Sequence, residues 1–160
     1  MDVIEFKPIG IIHTQFTSPK DMPIQPAGAQ GIPGTIELFP EFSAGLKDLD
    51  GFSHVILLYH FHRVKQSAMI VMPFMDDKPH GVFATRMPGR PNPIGLSVVR
   101  LLRVEGNLLQ IENVDMLDGT PLLDIKPYVS DYDIHRCERE GWLSGTSHNV
   151  LTKRSDGRFC

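Results

Sequence analysis

Short apolar segments separated by turn residues recur along this 160-residue chain, and their spacing restricts the fold more than any other feature. Turns fall about every eight to twelve residues, which is typical of all-β domains. Strands are predicted at residues 6–14, 35–39, 54–61, 69–72, 96–104, 108–116 and 122–125. This pattern favours a mostly β protein, in which an antiparallel sheet curls into a barrel or a sandwich. The strand–helix alternation of a doubly wound nucleotide-binding fold does not occur in it.

Short helices and long loops complete the predicted architecture. Pro40 near the start and Gly51 after the end delimit a helix over residues 40–49. A last helix is predicted over residues 131–140. The Pro- and Gly-rich stretch at 18–34 is expected to be an irregular loop, and loops of that length in compact domains are usually functional or disordered.

The composition is that of an ordinary globular protein, with 41% hydrophobic and 22% charged residues. The length suits one domain with a substantial core. The longest apolar run, residues 55–59, is too short to span a bilayer, and the N-terminus has no apolar signal region. A cytoplasmic location is therefore expected. Cys137 and Cys160 fit a reducing compartment, and two free thiols are favoured over a disulfide between them.

The run G-V-F-A-T-R-M-P-G-R-P-N-P-I-G-L-S-V-V-R, residues 81–100, carries the strongest functional signal. Strand-like stretches at 82–84 and 96–102 flank a loop that holds Arg86, Arg90 and three prolines. The prolines restrict their own φ angles and push the preceding residues toward extended geometry. Such a loop loses little entropy when it holds arginines toward a ligand. We therefore expect a ligand-binding loop in preference to a purely structural one.

Charge is unevenly distributed, although the formal net charge is only −3. Four arginines and no acid lie between Arg86 and Arg103, whereas residues 112–124 hold four acids and no base. A local basic face on a mildly acidic protein can bind phosphates. A pair of solvated strands with opposite charges explains the same pattern equally well.

His60 and His62 would lie on one face of a strand, because side chains alternate with a period of two. A metal site would need further ligands, and the chain has no companion zinc motif. A metal is therefore not favoured. The preferred interpretation packs one histidine under the core and places the other, with Arg63, at the strand end facing a pocket.

The segment at 122–128 places Asp124 and Lys126 on one strand face. Asp124 and Tyr128 are candidates for accepting a proton or a hydrogen bond. A strand edge terminated by a proline is an equally good interpretation. The chain has neither a dinucleotide-binding glycine fingerprint nor a nucleophile-elbow motif.

Three blocks of sequence together resemble the TsaA/TrmO family: residues 51–62 (G-F-S-H-V-I-L-L-Y-H-F-H), 81–99 and 117–128 (L-D-G-T-P-L-L-D-I-K-P-Y). The resemblance implies an S-adenosylmethionine-dependent tRNA methyltransferase built on a β-barrel instead of a Rossmann fold. It implies methylation of N6 of threonylcarbamoyladenosine next to the anticodon, and a homodimer. A barrel domain is accordingly expected over residues 1–130, followed by a short helix and tail over 131–160.

The resemblance also implies where the cofactor binds, and a mechanism of direct methyl transfer then suggests roles for further residues. The implied cofactor-binding residues are Pro23, Ile24, Gln25, His62, Arg63, Arg86, Leu96, Leu122, Leu123, Asp124 and Ile125. Asp124 or Tyr128 would assist loss of the N6 proton. Arg90 and Arg100 would contact phosphates, and binding would then weaken with salt. Ile24 stands where family members commonly have arginine, so one side-chain contact is expected to be missing.

The basic residues of the C-terminal tail either contact RNA or are simply solvated; they are Arg136, Arg139, Lys153, Arg154 and Arg158. Two other functions stay open. One is a methyltransferase that acts on a different RNA base or a small molecule. The other is a non-catalytic module that binds the cofactor or RNA. No membrane or metal partner is expected.

Overall fold

A computed structural model describes residues 2–20, 22–145 and 147–155. Cys160 and Arg158 lie outside these residues. The strands are β1 (Gly10–His13), β2 (Pro33–Leu38), β3 (His54–His60), β4 (Ile70–Val71), β5 (His80–Gly81), β6 (Ile94–Glu105), β7 (Leu108–Glu112) and β8 (Thr120–Pro127). Six of them close an antiparallel barrel in the order β1-β2-β7-β6-β3-β8, and β4 pairs with β5 in a separate ribbon. The predicted β-barrel is confirmed.

The helices of the described residues are short. One α-helix, α1, covers Ser130–Asp133. The remaining helical segments are 3-10 helices at Pro26–Gly28, Pro40–Leu46, Leu49–Gly51, Val82–Ala84, Gly141–Leu143 and Ser147–Leu151. Within the described chain, no helix has the length and apolar character needed to cross a membrane.

Alternation of side chains along the strands fills the barrel. On β3, Val55, Leu57 and Tyr59 point inward, and on β6 the inward positions include Ser97 and Val99. These residues are all buried, so the period-two pattern places the core inside the barrel. Ser97 is the polar exception on this face, and its position matters for the site described below.

The hairpin between β6 and β7 positions the residues that follow β7. Gly106 turns the chain with a φ of 63°, a left-handed conformation that suits glycine, and it lies in the Glu105-Gly106-Asn107 segment between the strands predicted at 96–104 and 108–116. Glu105 faces Leu108 near the turn, but a bulge between Leu101 and Arg103 shifts the register. Bulges of this kind change which partner each residue faces.

Several predicted elements differ from the structure. β1 begins at Gly10, later than predicted, because Pro8 has no N–H to donate to a ladder. Residues 82–84 form a 3-10 turn instead of a strand, since the Thr85 amide bonds the Val82 carbonyl at 3.1 Å. The helix predicted over 40–49 is present as two 3-10 segments.

The helix predicted over 131–140 is also wrong in extent, because α1 ends at Asp133. The residues from His135 to Glu140 are exposed. A segment with no apolar face to bury lacks the packing that stabilises most short helices. Cys137, in this segment, is exposed and carries a free thiol.

Candidate functional site: a cavity at one end of the barrel

A cavity of about 820 Å³ lies where β3 ends, β6 and β8 begin, and two long loops meet. Its volume falls within the range of about 300–1,000 Å³ that is usual for small-molecule sites. The walls come from the first loop, the residues after β3, the proline-rich loop and the C-terminal tail. The stiff loop predicted to bind a ligand therefore forms part of a real cavity.

Two of the predicted site residues meet directly in this cavity. Nη1 of Arg86 donates a hydrogen bond to Oε1 of Gln25 at 2.9 Å. The two residues lie in different loops, so this bond ties the first loop to the proline-rich loop. A smaller recess of about 320 Å³ is lined by the same pair together with Leu96. The guanidinium keeps further N–H donors for an anionic or polar ligand group.

His62 and Arg63 lie just after the end of β3 and line the cavity. The pKa of His62 is lowered, mainly by burial and further by the nearby Arg63 and His60. Arg63 donates to the Thr17 carbonyl at 2.9 Å and so holds the first loop against the strand end.

The histidine interpretation is half right. His62 faces the cavity as predicted, but His60 is exposed on the barrel surface, so the prediction that one histidine packs under the core is wrong. β3 ends at His60, and the two rings therefore do not share a strand face. Among the residues that the structure describes, no cluster of metal-ligating side chains is present.

The cavity brings together seven of the predicted cofactor-binding residues: Pro23, Ile24, Gln25, His62, Arg63, Arg86 and Leu96. It does not reach Leu122, Leu123, Asp124 or Ile125. Instead, β8 contributes Thr120, its first residue, to the wall. Leu122 is fully buried in the barrel core.

Asp124 and Tyr128, the sequence candidates for proton transfer, lie away from the cavity wall. The Asp124 carboxylate pairs with Nζ of Lys126 at 2.7 Å, as expected for residues on one strand face. Tyr128 packs edge-on against His54, with ring centroids 6.2 Å apart. Their proposed roles stay predictions.

The two predicted RNA-binding arginines have different surroundings. Arg90 lines the cavity, and its guanidinium makes long contacts of 3.5 Å with the carbonyls of Val82 and Thr85. Arg100 lies on the outer face of β6, where it pairs with Glu112 at 3.5 Å. Contact of either residue with phosphates stays a prediction.

A polar cluster at the cavity floor was missed by the sequence reasoning. The Ser97 hydroxyl donates to Oδ1 of Asp115 at 2.7 Å, and Oγ of Ser97 lies 3.0 Å from the Tyr59 hydroxyl. Burial raises the pKa of Asp115 to about 7, against the opposing effects of the Ser97 hydrogen bond and the Arg86 charge. Burial, followed by the Asp115 charge, also raises the pKa of Tyr59.

One signal could have pointed to this cluster. Ser97 is a polar residue at an inward position of an otherwise apolar strand face, and buried hydroxyl groups need partners. In the sequence, Asp115 is distinguished only as one of the four acids of residues 112–124.

The C-terminal tail forms a wall of the cavity, and this role is absent from the predictions made from the sequence. Trp142 donates from Nε1 to the Ala84 carbonyl at 2.8 Å and stacks on His80 with ring centroids 4.5 Å apart. Further along, the Ser155 amide bonds the Met22 carbonyl at 2.9 Å. The tail therefore packs on both loops that hold the predicted site residues.

The chain is similar to known proteins over most of its length. Residues 11–134 match the family model described as the tRNA-methyltransferase O N-terminal domain. A protein of Pyrococcus abyssi named as a probable S-adenosyl-L-methionine-binding protein is 58% identical over 157 residues, which cover 98% of this chain and 85% of that protein. A tRNA (adenine(37)-N6)-methyltransferase of Mus musculus is 34% identical over 169 residues, covering 95% of this chain and 39% of that protein.

A solved structure shows the same architecture. The crystal structure of TrmO from Pseudomonas aeruginosa aligns with a TM-score of 0.74 at 40% sequence identity. The alignment covers 88% of this chain and 63% of the solved chain. This chain thus spans less than two thirds of that relative.

Proposed function

The chain belongs to the tRNA-methyltransferase O (TsaA/TrmO) family, and on that premise we propose that it is an S-adenosylmethionine-dependent tRNA methyltransferase. The proposed acceptor is N6 of threonylcarbamoyladenosine next to the anticodon. The observation that carries the proposal is the cavity in which Gln25 and Arg86 meet, since it lies within the family-matched region and has the size of a small-molecule site.

The polar and apolar groups that line the cavity suit S-adenosylmethionine. The Arg86 guanidinium can bind the methionine carboxylate through charge-assisted hydrogen bonds. Apolar residues, Leu96 among them, can cover a planar base. When bound, the cofactor supplies an electrophilic methyl group on a cationic sulfur.

The chain also aligns the two reactants. Arg63 and Arg86 each tie a loop to a neighbouring segment, so the walls around the two reactants are held in place. Good positioning of two reactants alone can lower a barrier by about 7–11 kcal/mol. The basic residues Arg90 and Arg100 are proposed to contact the tRNA backbone.

Mass analysis of the product tests this function. Purified protein is incubated with S-adenosylmethionine and tRNA that carries threonylcarbamoyladenosine. The tRNA is then digested, and the masses of its nucleosides are measured by mass spectrometry. We expect a gain of one methyl group on that nucleoside. A gain on another nucleoside would redirect the proposal to a different acceptor, and no gain would refute it.

A non-catalytic module is the second candidate, because several relatives are named only for cofactor binding. It predicts saturable binding of S-adenosylmethionine with no demethylated product after long incubation. The same reaction mixture therefore distinguishes the two functions.

A homodimer and a cytoplasmic location belong to the same proposal. Met69, Ile70 and Phe83, exposed by 56%, 65% and 72%, lie close together where β4 pairs with β5. Exposed apolar clusters often mark protein interfaces. Light scattering on the wild type and on Ile70→Asp tests this, with a dimer expected only for the wild type; a monomeric wild type would refute it.

A further inference from the structure

Asp115 occupies a distinctive place in the cavity. Of the described residues that line the wall, it is the single carboxylate, among several cationic side chains. Its neighbours Val114 and Met116 are buried, with exposures of 0% and 2%. The backbone that carries Asp115 is therefore fixed by the core, while its side chain opens on the cavity.

A buried chain of hydroxyl groups orients this carboxylate. The Ser97 hydroxyl has one proton, which it donates to Asp115 at 2.7 Å. The Tyr59 hydroxyl must consequently be the donor in the 3.0 Å bond to Ser97. The Tyr59 ring lies directly over Gly95, where a Cβ would overlap the ring atoms, so the aromatic side chain cannot shift toward that strand.

The charges around Asp115 suit a group that exchanges a proton near neutral pH. The titratable and charged groups that act on it are Tyr59 from β3 and Arg86 from the proline-rich loop, with Ser97 of β6 as its hydrogen-bond donor. Burial opposes ionisation, whereas Arg86 and Ser97 favour it. A general base works best when its pKa lies near the operating pH.

We propose that the Asp115 carboxylate accepts the proton that the acceptor nitrogen loses during methyl transfer, and that Tyr59 and Ser97 orient it. This inference rests on the proposed function. The nitrogen lone pair forms the new N–CH₃ bond, and the electron pair of the broken S–CH₃ bond stays on sulfur, which becomes a neutral thioether. The N6 proton passes to Asp115, and the resulting carboxylic acid later releases it to water.

The geometry favours Asp115 over Asp124 for this step. Asp124 is held by Lys126 at 2.7 Å and does not line the cavity, whereas Asp115 lies on the cavity floor. A base must come within hydrogen-bond reach of the proton that it removes. Among the described residues, Asp115 is the carboxylate that can meet this condition for an acceptor bound in the cavity.

Single-turnover methyl transfer tests the role with Asp115→Asn. The amide keeps an oxygen that accepts from Ser97, so the variant is expected to fold, which thermal unfolding verifies. We expect the transfer rate to fall by about 10²–10⁴-fold, the usual contribution of a general base. Calorimetric affinity for S-adenosylmethionine should stay near the wild-type value. Asp50→Asn, at an exposed position of the Leu49–Gly51 3-10 helix, is the matched control and should transfer at the wild-type rate.

Ser97→Ala supplies an independent readout. The wild-type rate should rise with pH as Asp115 ionises and level off above about pH 7. Removing the Ser97 hydrogen bond raises the pKa of Asp115 further, so the midpoint of the rate profile should move to higher pH. A purely structural role for Ser97 would lower the rate without moving the midpoint.

The outcomes separate this inference from the function on which it rests. Wild-type protein that methylates tRNA, together with an unimpaired Asp115→Asn variant, would overturn the inference alone. So would a loss of rate that merely follows a loss of cofactor affinity, or an unmoved midpoint in Ser97→Ala. Wild-type protein that transfers no methyl group to tRNA would overturn both.

Discussion

Replacing Gly95 by alanine should disturb the barrel core and the cavity together. Gly95 faces Tyr59 across the β3–β6 pair, and a Cβ at this position would overlap the Tyr59 ring. The ring is 4% exposed and cannot move aside freely. The new methyl group must therefore displace the ring, and the Tyr59 hydroxyl would lose its 3.0 Å bond to Ser97.

Both costs can be estimated from general experience with protein cores. Forcing an extra carbon into a packed core costs about 1–3 kcal/mol. Loss of the buried Tyr59–Ser97 hydrogen bond adds about 0.5–1.5 kcal/mol. The expected loss in the free energy of unfolding is therefore about 1.5–4.5 kcal/mol, which lowers the melting temperature by about 3–18 °C for a domain of this size.

Denaturant unfolding of a double-mutant cycle checks the mechanism. Gly45→Ala is the matched control, because nothing lies within 4 Å of its Cβ position, and it should change stability by less than about 0.5 kcal/mol. Tyr59→Leu removes the ring that the methyl group meets, so Gly95→Ala should cost clearly less in that background. Effects that add to within about 0.5 kcal/mol would refute the proposed steric contact.

Three further predictions concern the cavity. Arg86→Ala should weaken S-adenosylmethionine binding at least tenfold (about 1.4 kcal/mol) in a calorimetric titration, and unchanged affinity would show that Arg86 lies outside the binding site. Trp142 is the single tryptophan of the chain and lines the cavity, so the cofactor should change its emission saturably; a flat titration would contradict the proposed site. Because the folded state raises the pKa of Asp115 to about 7, it holds the proton more tightly than the unfolded chain, and stability should fall as pH rises from about 4 to about 7. Asp115→Asn should remove that part of the fall in melting temperature; an identical pH dependence in both proteins would refute the raised pKa.

Local information in the sequence was sufficient for the main strands, whereas the choice of a barrel over a sandwich came from the family resemblance. The apolar segments at 54–61 and 96–104 recur as β3 and β6, because alternating side chains need one apolar face to bury. The turn at 105–107 is also a local property, since Gly106 suits the left-handed φ that the turn requires. The helix predicted over 131–140 was wrong in extent, because most of that segment is exposed and has no apolar face to pack against the barrel.

The candidate site was predictable only in part. The proline-rich loop and the family resemblance pointed to Gln25 and Arg86, which meet at 2.9 Å in the cavity. They did not point to the tail, whose contacts with the first loop and Ala84 join residues far apart in sequence. Contacts between distant segments produce no repeating pattern of apolar residues in either segment, so they cannot be predicted from hydrophobic periodicity.

The sequence by itself determined that this chain forms short strands and a stiff, arginine-bearing loop, because backbone restriction and side-chain alternation are local properties. Tertiary structure alone decided that Ser97 meets Asp115. β7 ends at Glu112, Asn113 takes a left-handed φ of 69°, and the amides of Asn113 and Val114 both bond the Ile32 carbonyl. The segment after β7 is thereby held against the barrel with Asp115 beside Ser97. The partner of Asn113 and Val114 is Ile32, which is far away in the chain, so local backbone preferences and side-chain alternation do not determine this contact.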